Sequence, residues 1–142
     1  MKDANYISKN TYFCNSLTNQ ILYNMKKILV AEDNDSNYIL MTYVLKRYYE
    51  FQRAVNGREA VDMALAGGFD MVLMDIKMPV MDGLEATKAI KEKMPELPVV
   101  ALTANAFDSD RQLALECGCD DFLTKPISSV KCLETIAKFI GK

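Results

Sequence analysis

Short apolar runs alternate along the chain with longer stretches in which apolar residues recur every three or four positions. Short runs suit buried strands, and the longer spacing suits helices that cover one face of a sheet. The predicted strands are KILVAE (27–32), FQRAV (51–55), FDMVLMD (69–75), PVVALT (98–103) and DDFLT (120–124). The predicted helices span about 35–48, 57–68, 83–94, 107–117 and 129–140. Five strands that alternate with five helices predict a parallel sheet with helices on both faces.

Residues that begin or end helices stand at several of these boundaries. Short polar side chains can accept a hydrogen bond from a first helical turn, and the candidates are Asp35 or Ser36, Asp108, and Ser128 or Ser129. Glycine readily takes the left-handed conformation that ends many helices, and Gly67, Gly68 and Gly118 stand at such ends. The Asp82-Gly83 pair indicates a turn followed by a helix start.

The last predicted helix carries two apolar stripes. One stripe, with spacings of three and four, contains Val130, Leu133, Ala137 and Ile140. The other contains Cys132, Ile136 and Phe139. Two stripes indicate either one wide buried face or a second surface for a dimer or another partner.

Polar side chains stand at the ends of four of the five predicted strands. Strand one ends in Glu32 and Asp33, strand three in Asp75 and strand four in Thr103, and strand five runs into Lys125. In a doubly wound sheet, ligands bind outside the carboxyl ends of the strands. Strand two ends in AVNG, without such a group, and the flavodoxin-like order 2-1-3-4-5 makes that strand an edge. The distribution of polar strand ends therefore favours this topology.

Asp75 can be interpreted in two ways. An aspartate that precedes a Met-Pro and Asp-Gly turn is most often a turn residue. However, Glu32, Asp33 and Asp75 are expected to converge, and three nearby carboxylates cannot all stay ionised cheaply. Oxygen ligands of this kind favour Mg²⁺ or Ca²⁺. With Lys125 and Thr103 beside them, they predict a phosphoryl-binding site in which a carboxylate is the nucleophile.

Composition excludes several other functions. The 142-residue chain predicts one domain, and its net charge of −2 does not suggest contact with nucleic acid. It contains no histidine, which excludes Ser-His-Asp and Cys-His catalysis and a phosphohistidine on the chain itself. Four cysteines without histidine do not favour structural zinc. No signal peptide or membrane-spanning run is evident, so we expect a cytoplasmic protein without direct membrane contact.

The polar stretch 1–25 lacks a clear period, and we interpret it as an N-terminal extension or linker before a domain that spans 26–142. Within that domain, four motifs resemble those of the receiver domains of two-component response regulators: AEDN, MDIKMPVMDG, ALTA and DDFLTKPI. The resemblance runs from about Met25 to Lys142, with every predicted strand and helix in order. It disfavours nucleotide or flavin binding, since strand one leads into acids where a phosphate-binding loop needs glycines.

The resemblance implies a role for each acidic residue. Asp75 would accept a phosphoryl group from a histidine on a partner protein. Asp33 and Asp75 would bind Mg²⁺ directly, together with the backbone carbonyl of Lys77, and Glu32 would act largely through a metal-bound water.

The resemblance also implies how the site responds to phosphorylation. Lys125 would hold the phosphoryl group, and its peptide bond to Pro126 would be cis. Thr103 would move toward the phosphoryl group, and Phe122 would be the switch aromatic, although it could also be plain core.

Further segments, such as EDNDSN and GCDDFLTKPI, are similar to segments of the receivers of hybrid histidine kinases and phosphorelays. The implied partner is a histidine kinase or a histidine-phosphotransfer domain, with the chain a monomer or a weak phosphorylation-linked dimer. Such a chain catalyses its own phosphorylation and dephosphorylation without being a conventional enzyme. The alternative is a receiver-like module that binds proteins independently of phosphorylation.

The sequence departs from the receiver family's pattern in the turn before strand two, RYYEF, where the family often has a glycine. Tyr48 or Tyr49 is therefore expected to take the helix-ending conformation, at some cost in strain.

Overall fold

Each predicted apolar run forms a strand in the computed structural model, which describes residues 25–104 and 108–141. The strands are β1 (Lys27–Ala31), β2 (Glu50–Ala54), β3 (Met71–Asp75), β4 (Val99–Thr103) and β5 (Asp121–Thr124). The helices are α1 (Asp35–Leu45), α2 (Gly57–Ala66), α3 (Gly83–Lys93), α4 (Asp108–Glu116) and α5 (Ser129–Ile140). Within the described ranges, no helix is both long enough and apolar enough to cross a membrane.

The five strands form one parallel sheet in the order β2-β1-β3-β4-β5, which confirms the predicted topology. Strands β3 and β4 are buried along their whole length, as expected for strands covered on both faces. In this order β2 is an edge strand, and the carboxyl ends of β1, β3, β4 and β5 lie side by side.

Alternate residues of the strands enter two separate cores. One core packs side chains such as Leu29, Val72 and Val99 against α2 and α3. The other packs Ile28 and Leu73 against α1 and α5. Each large aliphatic side chain that is fully buried contributes about 1.5–3 kcal/mol, so both helix layers hold the sheet firmly.

The buried face of α5 is the stripe that contains Cys132 and Ile136, and Thr135 is buried with them. Val130, from the other stripe, has 68% of its surface exposed. Of the two interpretations of this helix, the buried face is confirmed. Cys132 and Ile136 are covered by the protein's own core and do not offer a surface to a partner.

Helix starts agree with the predictions in part. Ser128 caps α5, with its side chain accepting a hydrogen bond from the Lys131 amide, and Asp82 caps α3. The cap of α1 is Asn34, so the prediction of Asp35 or Ser36 was wrong. Asn34 has the extended backbone of a cap, whereas the next residue is already helical. The side chain of Asp108, which begins α4, lies outside the described residues, as do Cys14 and the segment 1–24.

The predicted glycines do end helices, since Gly67, Gly68 and Gly118 all have positive φ. The expected strain at Tyr48 or Tyr49 is absent, because α1 ends early at Leu45 and a turn of ordinary conformation follows. Tyr49 is instead buried, and its hydroxyl donates a hydrogen bond of 2.9 Å to the carbonyl of Gly141. The residue at this position therefore ties the α1–β2 turn to the end of α5.

Candidate functional site

The parallel strands bring the predicted polar residues to one edge of the sheet. Glu32 and Asp33 follow β1, and the Glu32 amide still bonds to the Ala54 carbonyl of β2 at 3.0 Å. Asp75 is the last residue of β3. The amide of Lys125 bonds to the carbonyl of Thr103 at 2.7 Å, which fixes the chain beyond β5 against β4.

Three carboxylates meet at this edge. Glu32, Asp33 and Asp75 each place an oxygen within 4.8 Å of the others, and they are the sole such group among the metal-ligating side chains that the structure describes. Glu32 is 2% exposed and Asp75 6%, whereas Asp33 is exposed. Two of the three are therefore largely removed from water. A negative charge that is buried in this way is costly unless a nearby positive charge compensates it.

Lys125 compensates part of this charge. Its Nζ lies 3.1 Å from Oε1 of Glu32 and 3.3 Å from Oδ1 of Asp75. Burial lowers the pKa of Lys125, but the two carboxylates outweigh that effect, and its pKa is raised overall. The ammonium is therefore charged, and one cation faces two buried acids.

The negative charge that Lys125 does not neutralise affects the pKa of Asp75. This pKa is raised from 3.8 to about 7, first by burial and then by a hydrogen bond with Glu32 and by the negative charge of Glu32. Lys125 opposes this shift without cancelling it. A second cation at the cluster would remove the repulsion and restore the ionised form.

The cavity beside Asp75 can hold such a cation. Its volume is about 290 Å³, and the side chains around it include all three acids, Thr103 and Lys125. Oxygen ligands alone, two of them buried, fit a small hard divalent ion better than a softer transition metal. Lys77 also lines this cavity, and its amide approaches Oδ1 of Asp75 at 3.4 Å. The role predicted for its carbonyl stays a prediction.

The turn after β3 is held directly against Asp75 by glycine. The Gly83 amide donates to the Ile76 carbonyl at 2.7 Å, and a Cβ at Gly83 would collide with the Asp75 carbonyl oxygen. Gly57 is similarly close to the Met81 carbonyl. The sequence identified Asp82-Gly83 as a turn, but a requirement for close backbone approach has no signature in a single sequence.

The two predicted switch residues lie in different surroundings. Thr103 ends β4, is 6% exposed and lines the cavity. Phe122 pairs with Ala101 within the sheet and is half-buried outside the cavity, with the guanidinium of Arg111 4.7 Å from its ring centre. The peptide bond between Lys125 and Pro126 is cis, as the resemblance implied.

Sequence patterns did not single out Arg53, which lies on the edge strand β2. Its guanidinium bonds to the carbonyls of Glu32 and Asp33 and pairs with Asp35. Strand two was expected to contribute no chemistry because it is an edge strand and its end, AVNG, carries no such group. Main-chain carbonyls as acceptors leave no trace in the pattern of side chains, so the sequence held no signal for this contact.

Comparison with known proteins identifies the class to which this fold and site belong. The family model of the response regulator receiver domain matches residues 28–137, and the chain belongs to that family. It is 37% identical over 119 residues to the polar-differentiation response regulator DivK of Brucella anthropi. That match covers 82% of this chain and 97% of DivK.

Solved receiver structures have the same fold. One is the receiver domain of the Saccharomyces cerevisiae response regulator Ssk1, crystallised with the histidine phosphotransfer signaling protein Ypd1. It is 30% identical with a TM-score of 0.77, covering 81% of this chain and 88% of that one. Another is the receiver of a Pseudomonas aeruginosa sensor histidine kinase, with Mg²⁺ coordinated in its active site cleft. It is 33% identical with a TM-score of 0.78, covering 83% and 99%.

We predict that Asp75→Asn stabilises the metal-free protein and that the gain grows with pH. Between pH 3.8 and about 7 the folded carboxyl holds a proton that the unfolded chain has lost, so wild-type stability falls as pH rises through this window. The Asn variant avoids this loss. The gain over wild type should increase by on the order of 1–2 kcal/mol from about pH 5 to about pH 8, because solvent and Lys125 moderate the full cost.

Urea unfolding with a chelator present measures this difference. Asp82→Asn is the matched control, since Asp82 is exposed and asparagine caps a helix as well as aspartate does. If the gain in stability for Asp75→Asn is equal at both pH values, the nearby carboxylates and burial do not raise the pKa of Asp75.

Proposed function

We propose that this chain is the phosphoacceptor receiver of a cytoplasmic two-component or phosphorelay pathway, and that Asp75 accepts a phosphoryl group from a phosphohistidine on a partner. The observation that carries the proposal is the position of Asp75. It ends the central strand β3, is buried beside two other acids, and faces Lys125 across 3.3 Å. A carboxylate that serves only as a turn residue has no need of a half-buried ammonium partner.

We propose Mg²⁺ as the metal, held by Asp33, Asp75 and the carbonyl of Lys77, with Glu32 acting through water. When bound, Mg²⁺ would neutralise charge on the transferred phosphoryl oxygens. The carboxylate cluster supports this assignment, as does the Mg²⁺ site of the related Pseudomonas receiver. The family match over 28–137 supports a receiver domain at 26–142, preceded by an extension at 1–25.

The chain's own residues supply the nucleophile and groups that can hold the phosphoryl oxygens. An Asp75 oxygen attacks phosphorus, the phosphorus–nitrogen bond of the phosphohistidine breaks, and the imidazole nitrogen leaves with the electron pair. Lys125 is already charged and within hydrogen-bonding distance of Asp75, so it can hold a phosphoryl oxygen without reorganising. Thr103 lines the same cavity and offers a hydroxyl donor. Phe122 on the next strand would respond to movement of Thr103.

An exposed apolar surface beside the cavity suits a protein donor. Ile39, Leu40 and Tyr43 of α1 are each more than half exposed. A groove of about 270 Å³ between α1 and the segment after β5 is lined by Leu40 and Tyr43, and Lys125 lines both the groove and the cavity. A domain seated on this surface would bring its phosphohistidine to Asp75. The Ypd1 complex of the related Ssk1 receiver supports a histidine-phosphotransfer domain as the partner.

Labelling with a small phosphodonor tests the proposal. With acetyl phosphate and Mg²⁺, the wild type and Asp82→Asn should gain the mass of one phosphoryl group, and Asp75→Asn should gain none. A chelator should abolish the label, because Lys125 would then have to neutralise the transferred phosphoryl group without Mg²⁺. Labelling that survives Asp75→Asn would refute the assignment, and a wild type that never labels would favour the phosphorylation-independent binding module.

A second experiment tests the docking surface. Leu40→Asp should slow transfer from a phosphorylated histidine-phosphotransfer domain at least tenfold, while acetyl phosphate labelling stays unchanged, since only a protein donor uses α1. Leu113→Asp on α4 is the matched control, because Leu113 is also exposed and also lies within a helix. The donors tested should include Ypd1. Equal transfer rates for the two variants would contradict docking on α1.

A further inference from the structure

Arg53 on β2 holds the main chain that carries two of the three acids. Its Nε donates to the Glu32 carbonyl at 3.0 Å, and its Nη2 donates to the Asp33 carbonyl at 3.2 Å. The same Nη2 lies 2.9 Å from Oδ1 of Asp35, at the start of α1. One guanidinium therefore spans the whole connection from β1 to α1.

The two carbonyls lie beyond the backbone ladder of the sheet, so a side chain has to supply their donor. The ladder between β1 and β2 ends with the pair Ala31 and Ala54, and the carbonyls of Glu32 and Asp33 lie beyond it. A guanidinium supplies several donors in a rigid planar fork, so it can satisfy both carbonyls at once. A lysine ammonium at this position would keep the charge but lose that fork.

Arg53 is itself held in place. Its guanidinium stacks on the ring of Tyr38 at 4.6 Å, and Tyr38 packs edge-on against Phe51 of the same strand as Arg53. The Arg53 side chain is only 22% exposed. Asp35 is 85% exposed, so its ion pair adds little, and the two carbonyl bonds are the contacts that position the loop.

We propose that Arg53 is a positioning residue for the divalent cation: by holding the carbonyls of Glu32 and Asp33, it presents their carboxylates toward Asp75. The proposal rests on the function proposed above. It adds a residue outside the acidic cluster, on the strand whose end carries no ligand.

Charge and positioning predict opposite effects when Arg53 is replaced. Removing a positive charge near the acids should strengthen binding of a dication. Releasing the loop should weaken binding, because the ligands must then be ordered by the metal itself. Replacement of groups that orient metal ligands typically weakens affinity by about 10–100-fold. The sign of the change therefore separates the two roles.

The experiment is calorimetric titration of the full chain with Mg²⁺. We expect Arg53→Gln to weaken Mg²⁺ affinity about tenfold, despite the loss of repulsion. Arg53→Lys, which keeps the charge, should weaken it to a similar extent. Arg58→Gln is the matched control, since Arg58 is an exposed arginine on α2, and it should bind as the wild type does. Asp35→Asn should also change affinity little.

Loss of affinity must be distinguished from loss of folded protein. Every variant is therefore titrated under conditions in which its urea unfolding curve shows that it is fully folded. Affinity that is unchanged or tighter in both Arg53 variants would overturn the proposal. If Arg53→Gln does not fold, Arg53→Lys decides, because charge alone predicts no change for it. A wild type that does not bind Mg²⁺ would overturn the proposed function instead.

Discussion

The candidate site depends on the crowding of three acids around one ammonium at the edge of the sheet. Glu32 and Asp75 are almost fully buried, and Lys125 is the cation between them. One positive charge leaves the cluster with a deficit of positive charge, and burial together with Glu32 raises the pKa of Asp75. In the proposed function, the deficit makes the site selective: it favours a small dication, and with it a phosphoryl group that Lys125 can share.

The fold supplies this arrangement at some cost in stability. A parallel sheet brings the ends of β1, β3, β4 and β5 together, so acids from distant parts of the chain become neighbours. Gly83 lets α3 begin directly against Asp75, and Arg53 anchors the loop after β1. Sites of this kind commonly retain unfavourable interactions because function requires them, and the two apolar cores provide the stability that offsets the cost.

The sequence predicted what side-chain patterns encode. Apolar periodicity predicted the five strands and the five helices, and the polar strand ends predicted the strand order and identified the acids, Thr103 and Lys125. The sequence predictions failed where the conformation of the main chain determines the structure. The cap of α1 is one residue earlier than predicted, because capping depends on which residue keeps extended dihedral angles. Arg53 went unnoticed because its acceptors are main-chain carbonyls some twenty residues away.

A crystal structure of the protein grown with Mg²⁺ would show directly whether the crowded acids form a magnesium site. We expect one ion at about 2.1 Å from oxygens of Asp33 and Asp75 and from the Lys77 carbonyl. Lys125 should still contact a carboxylate and should not be displaced. An ion bound elsewhere, or a cluster that stays free of metal at saturating Mg²⁺, would show that these acids do not form a magnesium site.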